Sequence, residues 1–115
     1  MPEPIAYKVL TADQLATLER DGRFAGAPID VQDGYIHLST IDQLAETIDK
    51  HFAGQSGLQI VAVDLEALGD RVKWEPSRGG QLFPHIYGVM TLDTAIAYGP
   101  LEREADGSIR LPVAG

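Results

Sequence analysis

The chain has 115 residues, a formal net charge of −8 and no cysteine, which suits one ordinary domain that buries about 65% of the surface exposed when it is unfolded. The missing cysteine excludes disulfides, thiol catalysis and zinc–thiolate sites, and the spread-out acidity argues against general nucleic-acid or anionic-membrane binding. No signal-peptide pattern follows Met1–Pro4, and the longest apolar run, Ile60 to Val63, is far too short to span a bilayer, so the expectation is a soluble, cytoplasmic protein occupying 1–115 as a single domain.

In chain order, Ile5 to Leu10 alternates and reads as a strand. Thr11 and Gln14 have the spacing of a capping box, Leu15 and Leu18 face inward on the helix it opens, and Gly22 ends that helix. Phe24 to Gly34 reads as a connection, with Gly26, Pro28 and an Asp33-Gly34 turn. Tyr35 to Ser39 reads as a short strand, with Ile36 and Leu38 toward the core and Tyr35, His37 and Ser39 together on the opposite face.

A second capping box, Thr40 and Gln43, opens a helix whose apolar stripe is Ile41, Leu44, Ala45, Ile48 and Phe52. Glu46 and Lys50 form an i,i+4 pair on its wet face, and His51 meets the helix C-terminal dipole. Leu58 to Val63 is apolar on both faces and predicts a central strand. Asp64 begins a short helical turn over Leu65 to Leu68, closed by Gly69; Val72 to Glu75 reads as a strand, Pro76 to Pro84 as a loop, and His85 to Val89 as extended. Ala95 to Leu101 is a late strand, and Asp106-Gly107 turns it into Ile109–Val113, so 102–115 forms a hairpin-like extension. Early helices and late strands favour α+β, with two helices and about six or seven short strands, over a doubly wound sheet.

The segment Trp74 to Gly80, followed by Phe83 to Gly88, concentrates the chemistry. Gly79 and Gly80 permit close backbone approach to a ligand, Arg78 carries a donor fork for carboxylate or phosphate, and His85 and Tyr87 share a face of an extended segment. Arg71, Lys73 and Arg78, with His85 nearby, make a local positive stretch in an acidic chain. Against this stands a structural reading: Trp74, Phe83 and Tyr87 as core, Glu75 and Arg78 as a surface ion pair, and the glycines as a turn. His37 reads either as a satisfied structural histidine or as an anchor for a ligand hydroxyl. A Ser39–His37 nucleophile pair is weak, because the two lie ~7 Å apart along a strand with no sharp turn at Ser39. A metal site from His37, His85 and Glu75 has no short ligand spacing to support it, and there is no P-loop or GxGxxG string.

Three strings in order resemble the signature of the small bacterial family known as domain of unknown function 952: Asp33 to Thr40, Trp74 to Gly80 and Phe83 to Gly88, with the likeness running from about Tyr7 to Leu101. That family is in turn similar to the ADP-ribosylation fold, and the resemblance implies a small split mixed sheet with two helices and a cleft for NAD or an ADP-ribose-like ligand. The resemblance implies His37 on a ribose hydroxyl, Tyr87 or Trp74 against a nicotinamide ring and Arg78 on the pyrophosphate. Transferases of that fold carry a glutamate on a late strand; Ala95–Leu101 has none, Glu102 lies only at its end, and Glu75 comes earlier than the pattern expects. The leading expectation is therefore an NAD- or ADP-ribose-utilising transferase or hydrolase, with Glu75 and His37 catalytic and Tyr35, Ser39, Trp74, Arg78, Gly79, Gly80, His85 and Tyr87 binding the ligand. The alternatives are a non-catalytic binder of a nucleotide or small anion, and a protein-interaction module.

Overall fold

The computed structural model describes residues 4–112 of the chain, apart from the side chain of Arg78. Strand β1 (Ile5–Leu10) leads to helix α1 (Ala12–Asp21). Thr11 caps it: its Oγ1 accepts from the Gln14 N–H at 3.1 Å, and the Gln14 side chain accepts from the Thr11 N–H at 2.9 Å. Gly22 closes the helix at φ 74°, a left-handed conformation that a Cβ would strain.

The segment expected to be a connection instead contains β2 (Arg23–Phe24) and helix α2 (Pro28–Asp33). Proline at the first helical position suits a helix start, since its missing N–H costs no helical bond there. The other end of the capping logic is inverted. Ala27 offers no side-chain oxygen, but the carboxylate of Asp30 accepts from the Ala27 N–H at 2.8 Å.

Strand β3 is only Ile36–His37, shorter than the expected Tyr35 to Ser39, and α3 (Ile41–His51) follows. Leu44 and Ile48 are buried, whereas Ile41, expected in the apolar stripe, is exposed. Strand β4 (Gln59–Asp64) and the short α4 (Leu65–Leu68) come next, with Asp64 Oδ1 accepting from the N–H groups of Glu66 and Ala67. Strand β5 (Val72–Pro76) turns through a 3₁₀ segment (Arg78–Gly80) into β6 (Leu82–Ile86). The Pro76 to Pro84 stretch is therefore strand, tight turn and strand rather than a long loop. Pro84 fits inside β6 because its carbonyl accepts from the Leu38 N–H at 3.0 Å, and its missing donor falls where β3 has already ended. The chain closes with β7 (Met90–Thr91), β8 (Ala95–Pro100), β9 (Glu102–Arg103) and β10 (Ile109–Arg110). Val113, the expected end of the last strand, lies outside the described residues.

Among the described residues, two three-stranded sheets run in the orders β1-β4-β8 and β3-β6-β5, with two-stranded pairings β2-β7 and β9-β10. Among the described residues every strand pairing is antiparallel, which corrects the expectation of a mixed sheet, and α2 joins the two expected helices and the expected short turn at Leu65–Leu68. The architecture is α+β. The larger sheets meet at one bridge, where Tyr7 and Ser39 exchange backbone hydrogen bonds of 2.8 and 2.9 Å.

The first sheet is covered on both faces. Val61 and Val63 join Leu10, Leu18, Ile36, Ile86 and Met90 in the larger core, while Ile60 and Val9 pack with Leu44 and Ile48 of α3. That double covering explains why β4 is apolar at every inward position. The second sheet sends Ile36, Leu38, Ile86, Val72 and Trp74 into the larger core and presents its other face as the polar, aromatic surface described next. No helix among the described residues is long and apolar enough to cross a membrane.

Candidate functional site

Antiparallel register, rather than local sequence, assembles the site. His37 on β3 stands directly opposite His85 on β6, and Lys73 on β5 stands opposite the same His85. Alternation then places Tyr35, His37, Lys73, Glu75, His85 and Tyr87 on one side of this sheet. The rings touch: Tyr35 stacks on His85 with centroids 4.2 Å apart, approaches His37 at 4.8 Å and Tyr87 at 5.3 Å, and the two imidazoles meet edge-on at 5.3 Å. Two stretches of chain some forty positions apart thus wall one surface.

Each histidine is held by a carboxylate. Asp30, fully buried in its side chain, accepts from His37 Nδ1 at 2.6 Å and from the His37 backbone N–H at 3.1 Å. Lys8 Nζ lies 2.8 Å from the other Asp30 oxygen and also donates to the His37 carbonyl at 3.1 Å. Burial pushes the Asp30 carboxyl up, but the His37 hydrogen bonds and the Lys8 ammonium outweigh it and hold it well below the ordinary carboxylate range. Burial likewise pulls Lys8 below the usual lysine range, against the attraction of Asp30. The geometry is that of an ammonium donating to a carboxylate and a carbonyl, a buried ion pair with further hydrogen bonds. The outer ring nitrogen of His37, Nε2, lies 3.0 Å from the half-exposed Asp33 carboxylate.

On β5, Glu75 Oε1 accepts from His85 Nδ1 at 2.8 Å, and the Tyr87 hydroxyl donates to Glu75 Oε1 and Oε2 at 2.8 and 3.0 Å. Those donors, His85 first and Tyr87 second, lower the Glu75 carboxyl and keep it ionised. His85 itself is 2% exposed, and burial, helped by the nearby His37, lowers its basicity against the pull of the Glu75 carboxylate. Beside these rings a cavity of about 380 Å³ is lined by Ala25, Asp30, Val31, Gly34, Tyr35, Ile36 and Gly88. Its walls are apolar side chains and glycine backbone, with Asp30 beneath and Tyr35 as the shared border with the ring cluster.

Not every residue singled out from the sequence joins this group. Ser39 is buried and its Oγ bonds Thr47 Oγ1 of α3 at 2.8 Å, so its side chain belongs to the helix contact. Trp74 alternates away from Glu75 and packs against the larger core, which places it on the reverse of the sheet from His37. Gly79 and Gly80, at φ 64° and 80°, shape the turn between β5 and β6, closed by Ser77 N–H to Gln81 O at 2.9 Å. The side chain of Arg78 lies outside the described residues. Among the described residues no three or more histidine, aspartate or glutamate side chains are grouped to hold a metal ion.

Two members of the site, Asp30 and Lys8, escaped the sequence reading. Lys8 had a signal: it stands between Ala6 and Leu10 on the core face of β1, where a lysine is rarely buried unless paired. Asp30 had a fainter one, an acidic residue two positions after a helix-starting proline.

A crystal structure of protein CC0527 from Caulobacter crescentus is similar to this chain at 40% sequence identity, covering 93% of this chain and 94% of that one with a TM-score of 0.84. The solution NMR structure of CC0527 matches at 39% identity over 93% of this chain and 91% of the other, with a TM-score of 0.78. No curated protein matches. The model of a protein family of unknown function, DUF952, matches residues 9–98, and with that span and these neighbours the chain belongs to the DUF952 family.

Proposed function

We propose that the Tyr35–His37–His85–Tyr87 face and the adjoining cavity bind a ribosyl nucleotide of the NAD or ADP-ribose class, in the manner of the ADP-ribosylation fold that the sequence resembles. The observation that carries the reading is Glu75, an ionised carboxylate at the edge of an aromatic surface, oriented by two donors. Its charge suits a cation. In an NAD-type ligand that cation is the pyridinium, which also stacks on tyrosine.

Cleavage would break the bond between ribose C1′ and the ring nitrogen, with the electron pair leaving on that nitrogen. Positive charge then develops on the ribosyl centre, where a preorganised carboxylate lowers its energy. Water adds at C1′ and releases its proton to solvent. His37, anchored through Nδ1 by Asp30, turns Nε2 toward the half-exposed side, so a ribose hydroxyl can exchange with the Asp33 contact. Tyr35 and Tyr87 supply the ring surface.

A second reading, binding of a nucleotide or small anion without catalysis, is favoured by one specific fact: both Glu75 oxygens already accept hydrogen bonds within the protein. Two experiments separate the readings. Thermal shifts with NAD, ADP-ribose, AMP and inorganic phosphate should show a raised Tm with a ribosyl nucleotide, since ligand at about 100 Kd contributes ~2.7 kcal/mol. No shift with any of them refutes both. Nicotinamide release by the wild type, abolished in Glu75→Gln, supports the enzyme; binding without release supports the binder.

A further inference from the structure

We infer that His85 is a positioning residue held as the neutral Nδ1–H tautomer, so that it orients Glu75 without cancelling its charge. The inference rests on the reading of Glu75 as the site's anion, but its test does not need a ligand. A carboxylate only accepts, so the ring nitrogen facing Glu75 Oε1 at 2.8 Å, Nδ1, carries the hydrogen. The other nitrogen, Nε2, is buried and has no hydrogen-bond partner among the described residues. A bare lone pair at that position is tolerable. A second proton would create a buried N–H with no acceptor and a buried charge beneath the Tyr35 ring.

The groups around His85 pull in both directions. Tyr35 covers it in a stack at 4.2 Å, the His37 imidazole approaches edge-on at 5.3 Å, and Lys73 stands opposite it in register on β5. Glu75 is in contact and the buried Asp30 lies further off, and both favour the protonated form. Burial and the neighbouring His37 oppose them and together prevail. The second donor to Glu75, the Tyr87 hydroxyl, is neutral as well. Glu75 is therefore gripped at both oxygens by uncharged donors and keeps a full negative charge facing outward. An imidazolium in the same place would form a closed ion pair and leave little field for a cationic ligand.

The test is imidazole nitrogen NMR on the full chain, with carbon-detected titration of the Glu75 carboxyl. His85 should remain the neutral Nδ1–H tautomer at pH ~6.5, where an ordinary imidazole is half protonated. Tyr35→Ala should uncover the ring and raise its midpoint, while Tyr35→Phe keeps it low. His85→Asn, which retains a donor near the Nδ1 position, should keep the Glu75 midpoint depressed. His85→Leu fills similar space without a donor and should let that midpoint rise. A His85 ring that is protonated at pH ~6.5, or that carries hydrogen on Nε2, overturns the inference; so does a Glu75 titration equally depressed in His85→Leu. His85→Asn and the two Tyr35 variants decide the matter if His85→Leu does not fold. Failure of every nucleotide to bind would remove the proposed ligand while leaving these spectra to judge His85.

Discussion

Lys8→Met removes the ammonium paired with Asp30 and keeps a flexible chain of similar length. Both groups are buried: Lys8 is 6% exposed and Asp30 1%. Removing one member of a buried ion pair costs about 3–5 kcal/mol, because the remaining charge stays in a medium of low polarity. Asp30 keeps three donors after the change: the Ala27 N–H, the His37 N–H and His37 Nδ1. The loss therefore falls at the lower end, ~3 kcal/mol, or a Tm lower by about 12 °C at ~4 °C per kcal/mol. Urea unfolding at neutral pH measures it, with the m-value unchanged so that the midpoint shift reads as stability. Lys50→Met is the control, since its pair with Glu46 is exposed and spans 3.5 Å, and such helix pairs contribute about 0.3–0.5 kcal/mol. A Lys8→Met loss below about 1 kcal/mol, indistinguishable from the control, would refute the assignment of Lys8 and Asp30 as a buried structural pair under the site.

The Asp30 carboxyl is held below its unfolded value of ~3.9, so its contribution is complete above about pH 5 and is lost as the pH falls through ~3.9 toward the depressed folded value. Urea midpoints between about pH 5 and 2 should decline in the wild type, and Asp30→Asn should be less stable at neutral pH with a flatter acid limb. Gly26 sits at φ 126°, and a Cβ there would come within 2.9 Å of Asp30 Cβ; Gly26→Ala should cost about 1–3 kcal/mol and shift the His37 resonances through Asp30. Ser39→Ala breaks the bond to Thr47; a loss of about 0.5–1.5 kcal/mol with an unchanged response to ribosyl nucleotides is expected, and a lost response would bring Ser39 back into the site.

Several elements of this protein are decided by short-range pattern alone. The alternation of Ile5–Leu10, the Thr11–Gln14 capping box with Gly22 closing α1, the Leu44–Ile48 stripe of α3 and the two-faced apolarity of β4 all follow from spacing within one element. Turns of a helix and the pleat of a strand are set by neighbours a few residues away, so the composition of those few residues suffices. Helix α2 was harder to read, because its start lacks a capping side chain at Ala27 and borrows the Asp30 carboxylate instead. Only the tertiary structure could decide the rest: that β3 pairs with β6 so that His37 faces His85, that Trp74 turns inward while Glu75 turns outward, and that Lys8 on β1 reaches Asp30 on α2. Register between distant strands and the partner of a buried charge depend on how sheets stack, and no local periodicity encodes that.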